Sequence, residues 1–461
     1  MATDIELRQA ITLRDILSRS VTEALIPPHR ELVPDLSEVY ELELAFYESQ
    51  LLDDEALIRN GAYFAKVGDT LTRHFLMCSG EPLRLPQHSS SRLKSFFTAN
   101  QFRTGYATHG LFPYRGKFHP QMVKGIINAM GLQPGDTLLD PMMGSGTALI
   151  EASLMGIKSI GYDMSPFCRF MTQGKLDALK VPLDPIRAAL QESRSVFEFF
   201  KNSVGHAEPG SKTRARPIQD DFFSISEPSS PGYDGGSAGS RPPSLDSRHV
   251  YNFVLLAYLD SVGYSERSAR KSPFDQFRAI LERYSFVATK IQHVLAGLEG
   301  ELAEARALEG DARRLDLPDS SVHGILFSPP YSFAIDYLEN DSFHLKHLGV
   351  DVAALRQTMI GLRGSSPQEK FELYKADMAA MLSECARTLK PGGMCSIVVG
   401  TNNNQLSKIV GVPPDEVEGI DQVLVALAAP LGLNLVRKLS RRIAGIANTM
   451  RTEFIVMLQR A

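Results

Sequence analysis

A serine, two prolines and a tyrosine stand together at Ser328-Pro329-Pro330-Tyr331, directly after the apolar run Gly324-Ile325-Leu326-Phe327. An amino group on an aromatic ring is a poor nucleophile because its lone pair is delocalised into the ring. Two fixed acceptors, the side chain at 328 and the Pro329 carbonyl, can hold its hydrogens and pull the nitrogen toward a pyramidal geometry. That frees the lone pair, and the paired prolines preorganise the acceptors by fixing φ. Tyr331 offers a flat face on which a target ring can stack. A plain proline turn after a strand is the alternative, so the motif gains its weight from its company.

That company is Asp140-Pro141-Met142-Met143-Gly144-Ser145-Gly146-Thr147, which follows Thr137-Leu138-Leu139. Gly144 and Gly146 let a backbone approach a ligand closely, since no Cβ intervenes. A dinucleotide fingerprint needs a third glycine where Leu149 stands, which disfavours a nicotinamide cofactor. An acidic strand end repels pyrophosphate and suits the cationic methionine moiety of S-adenosylmethionine. Asp163, at the end of a second strand, is the natural acceptor for two ribose hydroxyls, although Asp163-Met164-Ser165-Pro166 also reads as a helix start. Asp311 ends a third strand and could accept from an adenine amino group or be a surface turn residue.

The elements that must carry these residues read as α/β: a doubly wound, mostly parallel sheet with a reversed pair at its end. Both motifs close apolar runs, where a buried parallel strand would end and where open α/β sheets bind ligands. Residues 1–105 read as a helical accessory region, with Tyr40, Leu44, Phe46 and Leu51 near helical spacing. The first half of the sheet domain spans 106–180, with a helix after Pro120 and a turn at Gln133-Pro134-Gly135-Asp136. Residues 181–304 form a helical insertion holding a Gly/Ser/Pro-rich linker, about 205–248, whose composition predicts mobility. The second half runs from 305 to 461 and ends in a hairpin, Leu433 to Arg442 and Arg451 to Gln459.

Composition sets outer limits. A chain of 461 residues can bury a large core, and no apolar stretch is long enough to span a bilayer. The first residues lack a signal-peptide pattern, and Cys78, Cys168, Cys385 and Cys395 are scattered without a C-x-x-C pair. Both point to a cytoplasmic protein without a structural metal. His344 and His347 share a helix face but lack a third ligand. A net charge of -4 leaves nucleic-acid binding to a local patch, for which Arg437, Lys438, Arg441, Arg442 and Arg451 are the candidates beside a merely solvated hairpin.

On Gly116-Lys117-Phe118-His119-Pro120, Asp140 to Thr147, Asp163, Ser328 to Tyr331 and the continuation Ala334-Ile335-Asp336-Tyr337, the chain resembles the DNA amino-methyltransferases of the N4-cytosine and N6-adenine type. The resemblance covers roughly 112–180 and 305–460. It implies a class I, Rossmann-like methyltransferase fold, S-adenosylmethionine as cofactor and DNA as partner, in the setting of restriction and modification. It also implies catalytic roles for Ser328, Pro329, Pro330 and Tyr331. Lys117, His119, Asp140, Met142, Gly144, Gly146, Thr147, Asp163 and Asp311 would form the cofactor site. Serine at the first motif position favours cytosine N4. The motif order, cofactor half first, differs from many N4-cytosine enzymes and keeps adenine N6 open. Two other readings stand beside these: an RNA (tRNA) guanosine N2-methyltransferase, and a non-catalytic cofactor-binding subunit. The oligomeric state is not legible in the sequence.

Overall fold

The computed structural model describes residues 25–34, 36–79, 83, 94, 104–114, 116–204, 241–267, 272–296, 301–330, 336–400, 402–442 and 452–461. Tyr331, Ala334-Ile335, Arg451 and most of the expected linker lie outside the described residues. The N-terminal region is not purely helical. Strand β1 (Arg30–Leu32) precedes helices α1 (Val39–Leu51) and α2 (Asp54–Asn60). Strands β2 (Phe64–Val67) and β3 (Thr70–Leu71) then complete a small antiparallel sheet before α3 (Arg73–Cys78). The β2–β3 turn rests on Gly68, whose φ of 57° suits a glycine.

Helix α4 (Pro120–Ala129) starts with proline in its first turn, where a missing N–H costs nothing. Then follow β4 (Thr137–Asp140), α5 (Thr147–Leu154), β5 (Lys158–Asp163) and α6 (Pro166–Asp177). Ser165 caps α6 by accepting the Cys168 N–H, again with proline behind it. Helices α7 (Leu183–Gln191), α8 (Ser193–Val204), α9 (Arg248–Arg267) and α10 (Pro273–Ala296) form the insertion. The chain rejoins the sheet through β6 (Ala305–Glu309) and β7 (Val322–Phe327). Three more helices, α11 (Tyr337–His347), α12 (Val352–Thr358) and α13 (Pro367–Thr388), lead to β8 (Leu389–Gly400). Helices α14 (Asn403–Val410) and α15 (Ile420–Ala428) precede β9 (Leu433–Arg442) and β10 (Thr452–Arg460).

The seven sheet strands lie in the order β6-β5-β4-β7-β8-β10-β9. Five neighbouring strands join through four parallel pairings, and β10 alone runs the other way, inserted between β8 and β9. This is the class I methyltransferase arrangement. Its switch point, where successive crossovers leave in opposite directions, falls between β4 and β7. One face of the sheet packs on α13 and α15, with Ile325, Ile397, Met378 and Leu424 fully buried. The other face packs on α4, α5 and the N-terminal region through Leu138, Ile126, Ala148, Leu44 and Tyr63.

The insertion helices are spent on packing. Phe253, Leu256, Phe277 and Tyr284 join Phe167 and Met171 of α6 and Leu345 of α11 in one apolar cluster. Polar ties reinforce it: Asn252 and His249 both reach the Asp177 carboxylate, at 3.2 and 2.9 Å. Gly263 of α9 makes room for His344, whose ring would lie 2.5 Å from a Cβ there. His344 in turn stacks on Phe167, with centroids 4.8 Å apart. The C-terminal part of the expected linker is ordered, with Leu245 fully buried and α9 starting at Arg248.

A fully buried carboxylate ties the early segments together. Glu151 of α5 accepts from the Tyr106 hydroxyl at 2.6 Å and pairs with His109 Nε2 at 2.6 Å and Lys124 Nζ at 3.2 Å. Burial alone would raise its pKa, but Lys124, His109 and Tyr106 outweigh that and hold it at about 2. Burial holds the His109 imidazole down to about 4, so it is neutral near pH 7 and donates Nε2–H to the carboxylate. Glu151→Ala should therefore destabilise the protein by about 3–5 kcal/mol, the cost of stranding a buried cation and its partners. The denaturant midpoint measures this; a Glu151→Ala protein as stable as wild type would contradict the assignment.

Candidate functional site

β4 and β7 are adjacent, with Leu138 opposite Gly324 and Leu139 opposite Ile325. Extending that register brings Met142 level with Ser328, so the glycine turn and the serine–proline motif leave neighbouring strand ends on the same edge. They share a cleft of about 700 Å³, counting space open to solvent at its mouth. Met142, Gly144, Ser145 and Thr147 line it from the turn after β4. Asp163, Ser165 and Cys168 line it from β5 and α6, and Ser328, Pro329 and Pro330 from β7. Tyr337 and Asp341 of α11 close it together with Tyr114 and Lys117.

The glycine turn is held rigid from behind. Gly144 donates its N–H to Asp163 Oδ2 at 2.9 Å, Thr172 Oγ1 donates to the Gly144 carbonyl at 3.1 Å, and buried Lys175 reaches the Ser145 carbonyl at 3.4 Å. Gly144 and Gly146 both adopt left-handed φ, 48° and 74°. Only Gly144 faces the cleft. The bare Cα of Gly146 faces Thr172, and a Cβ there would come within 2.4 Å of the Thr172 methyl. Its glycine therefore serves helix packing, not ligand approach.

Asp163 accepts a second backbone N–H, from Ser165, at 2.8 Å. Burial lifts its carboxyl to about 6 against the pull of these two N–H groups. Each oxygen has a further acceptor site for a hydroxyl. Asp140 lies behind the cleft: it is buried, Oδ1 accepts the Met142 N–H at 3.1 Å, and Oδ2 has no hydrogen-bond partner among the described residues. Burial pushes its carboxyl well above the usual range. Lys117 lines the cleft, but its Nζ donates to the carbonyls of Thr104 and His109 and so holds the loop before α4. His119, the residue before α4, does not line the cleft, and its Nδ1 is buried without a partner among the described residues.

Two further expectations meet different geometry. Asp311 is outside the cleft lining; both its oxygens are engaged by Arg313, which also pairs with Asp377 at 2.8 Å. The carboxylate was legible as a strand-end residue, but the arginine two positions on captures it. Three charges of the basic hairpin are likewise paired internally. Arg437 pairs with Glu43 and Lys438 with Asp421, Arg441 pairs with Glu453 at 3.0 Å, and the Arg442 backbone N–H, not its guanidinium, donates to Glu38. Arg437 and Lys438 thereby fasten α1 and α15 to the sheet edge, and Arg441 ties β9 to β10. Helix α11 buries His344, and among the described residues no group of three or more His, Cys, Asp or Glu is placed to hold a metal.

Sequence reasoning missed Tyr114 and Asp341. Tyr114 Oη lies 3.5 Å from Cys168 Sγ, and its ring Cε1 would lie 3.8 Å from a Cβ added to Gly144. Asp341 is buried, and burial and the Asp163 charge hold its carboxyl up at about 7 against a Tyr114 hydrogen bond. Its signal was present: it follows Tyr337 by four residues, one helical turn, and so shares that residue's face. The tyrosine ring itself packs on Gly116, where a Cβ would sit 3.1 Å from Cε1.

S-adenosylmethionine fits the residues present. The donor set is acidic and lacks a phosphate-binding third glycine, Asp163 retains open acceptor sites, and Gly144 presents a bare backbone to the cleft.

Residues 111–205 match a family described as "RMKL-like, methyltransferase domain". Type II methyltransferase M.BsoBI of Geobacillus stearothermophilus is 22% identical over 297 residues, 56% of this chain and 56% of that protein. Type II methyltransferase M.MjaII of Methanocaldococcus jannaschii is 37% identical over 100 residues, 22% of this chain and 18% of that protein. A tRNA (guanine(10)-N2)-dimethyltransferase of Methanothermobacter thermautotrophicus is 42% identical over 53 residues, 12% of this chain and 16% of that protein. The chain thus spans about half the length of the first relative and less than a fifth of the other two. It resembles class I, S-adenosylmethionine-dependent DNA methyltransferases.

A ligand that donates hydroxyls to Asp163 needs the carboxylate ionised. S-adenosylmethionine affinity should therefore hold above about pH 6 and fall as pH drops through that value, by up to about tenfold per unit. Asp163→Ala should weaken binding by about 1–3 kcal/mol by leaving hydroxyls unpaired. Calorimetric titration across pH decides both, and unchanged affinity in the variant would remove Asp163 from the site.

Proposed function

We propose that the chain transfers the methyl group of S-adenosylmethionine to an exocyclic amino nitrogen of a DNA base, cytosine N4 in preference to adenine N6. The observation that carries this reading is the shared cleft, in which Ser328-Pro329-Pro330 at the end of β7 meets the glycine turn and Asp163. Asp163, Gly144 and Thr147 would hold the cofactor, which supplies an electrophilic methyl group on sulfur when bound. Ser328 Oγ and the Pro329 carbonyl accept the hydrogens of the target amine and draw its lone pair out of the ring, toward the methyl group. Both acceptors are fixed in place by the following prolines before substrate arrives, so little reorganisation is needed during transfer. Tyr331, one residue further on, supplies the stacking face for a base rotated out of the duplex. The proton of the cationic product passes from the nitrogen, held against Ser328 Oγ, to water. No stronger base is required.

The motif resemblance and the type II methyltransferase relatives support DNA as substrate, and the serine at 328 supports cytosine. An RNA guanosine amino group is the second reading, favoured by the similarity to a tRNA guanine N2-dimethyltransferase. An interaction subunit without catalysis is disfavoured because the acceptor motif lines the cleft intact.

Mass spectrometry of nucleosides from DNA and RNA incubated with the protein and S-adenosylmethionine should find N4-methylcytosine in DNA. N6-methyladenine alone would change the base, and label confined to RNA would establish the second reading. Ser328→Ala should lower turnover about 10²-fold while cofactor affinity stays normal. A normal rate in that variant would make the motif structural.

A further inference from the structure

We propose that Asp341 is a specificity-determining residue of the cleft, a carboxylate that favours the positively charged, methyl-bearing cofactor over its neutral thioether product. The inference rests on the cofactor assignment above and adds to it a residue and a discrimination. Asp341 lies on α11, is 7% exposed and lines the cleft. The groups facing it come from three other elements: the Tyr114 hydroxyl before α4, the Cys168 thiol of α6 and the Asp163 carboxylate of β5. The cleft therefore carries two carboxylates. The one cation among the described lining residues, Lys117, has its ammonium on the carbonyls of Thr104 and His109.

The two carboxylates differ in what they already hold. Asp163 gives one oxygen to each of two backbone N–H groups, so it is built into the turn. Among the described residues Asp341 has only the Tyr114 hydroxyl as a donor, which leaves it acceptor capacity and, once ionised above about pH 7, an uncompensated charge that a bound cation would favour. Two like charges facing one poorly solvated cleft repel, and the pair is relieved by a ligand that brings a cation between or beside them. S-adenosylmethionine carries a sulfonium charge that S-adenosylhomocysteine has lost. Coulomb attraction reaches over several ångströms at a partly buried site, so the discrimination does not require a direct contact. Methyl transfer itself removes the charge that Asp341 attracts, which loosens the spent cofactor and lets the next one in.

Calorimetric titration of the full chain with S-adenosylmethionine, S-adenosylhomocysteine and an analogue bearing an amine in place of the S-methyl group tests this. Asp341→Asn should weaken binding of the two cationic ligands about tenfold and leave the neutral thioether within about twofold. Asp341→Glu, which keeps the charge, should retain the wild-type preference. Equal weakening for all three ligands, an unchanged preference in Asp341→Asn, or a lost preference in Asp341→Glu would each overturn the proposal. Failure of the wild-type protein to bind S-adenosylmethionine at all would instead overturn the cofactor assignment on which it rests.

Discussion

The ion and hydrogen-bond cluster on Glu151 is the constraint from which the site is suspended. Three separate stretches converge on one buried carboxylate: Tyr106 and His109 from the segment leading to the cleft, Lys124 from α4, and Glu151 from the helix that opens with the glycine turn. A buried anion is tolerated only when it is paired and hydrogen-bonded, so none of these stretches can drift without exposing a large desolvation penalty. Lys117 extends the arrangement by fastening the His109 carbonyl. The cleft walls thus inherit their positions from an interior interaction that touches no ligand.

A second frame is built from the far side. Helices α9 and α10 support α6 and α11, which supply Cys168, Asp341 and Tyr337 to the cleft. The small contact residue is Gly263, which lets His344 slot between α9 and Phe167. A sequence region that reads as an appendage is in this way part of the wall that fixes the position of α11.

The sheet, the glycine turn, Asp163 and the first three motif residues at 328–330 were legible because each rests on local rules. Apolar runs end in acids, prolines sit in helix first turns, and glycines occur where φ turns positive. What was illegible depends on partners distant in sequence. Nothing near Glu43 or Asp421 marks them as counter-ions for Arg437 and Lys438, so a neutralised seam reads as a free basic patch. Gly146 and Gly144 look equivalent in sequence, and only the approach of Thr172 separates a packing glycine from one that faces the cleft. Glu48 shows the same limit: nothing beside it in sequence marks it as interior, yet it is buried and accepts the N–H groups of Ala62 and Tyr63 and the Asn128 amide.

The neighbouring strands β5 and β6 pair residue for residue, Asp163 opposite Glu309, yet more than a hundred residues separate the end of α6 from the start of β6. Ring-closure entropy grows only with the logarithm of the chain enclosed, about 0.6 kcal/mol for each doubling. An enlarged crossover of this kind is therefore nearly free at equilibrium, which makes the β5–β6 connection a permissive place for a methyltransferase sheet to accept new sequence. The burden falls on search time instead, because a parallel pairing must wait for distant partners. The α9–α10 pair within the insertion makes contacts that are local in sequence and carry no such delay.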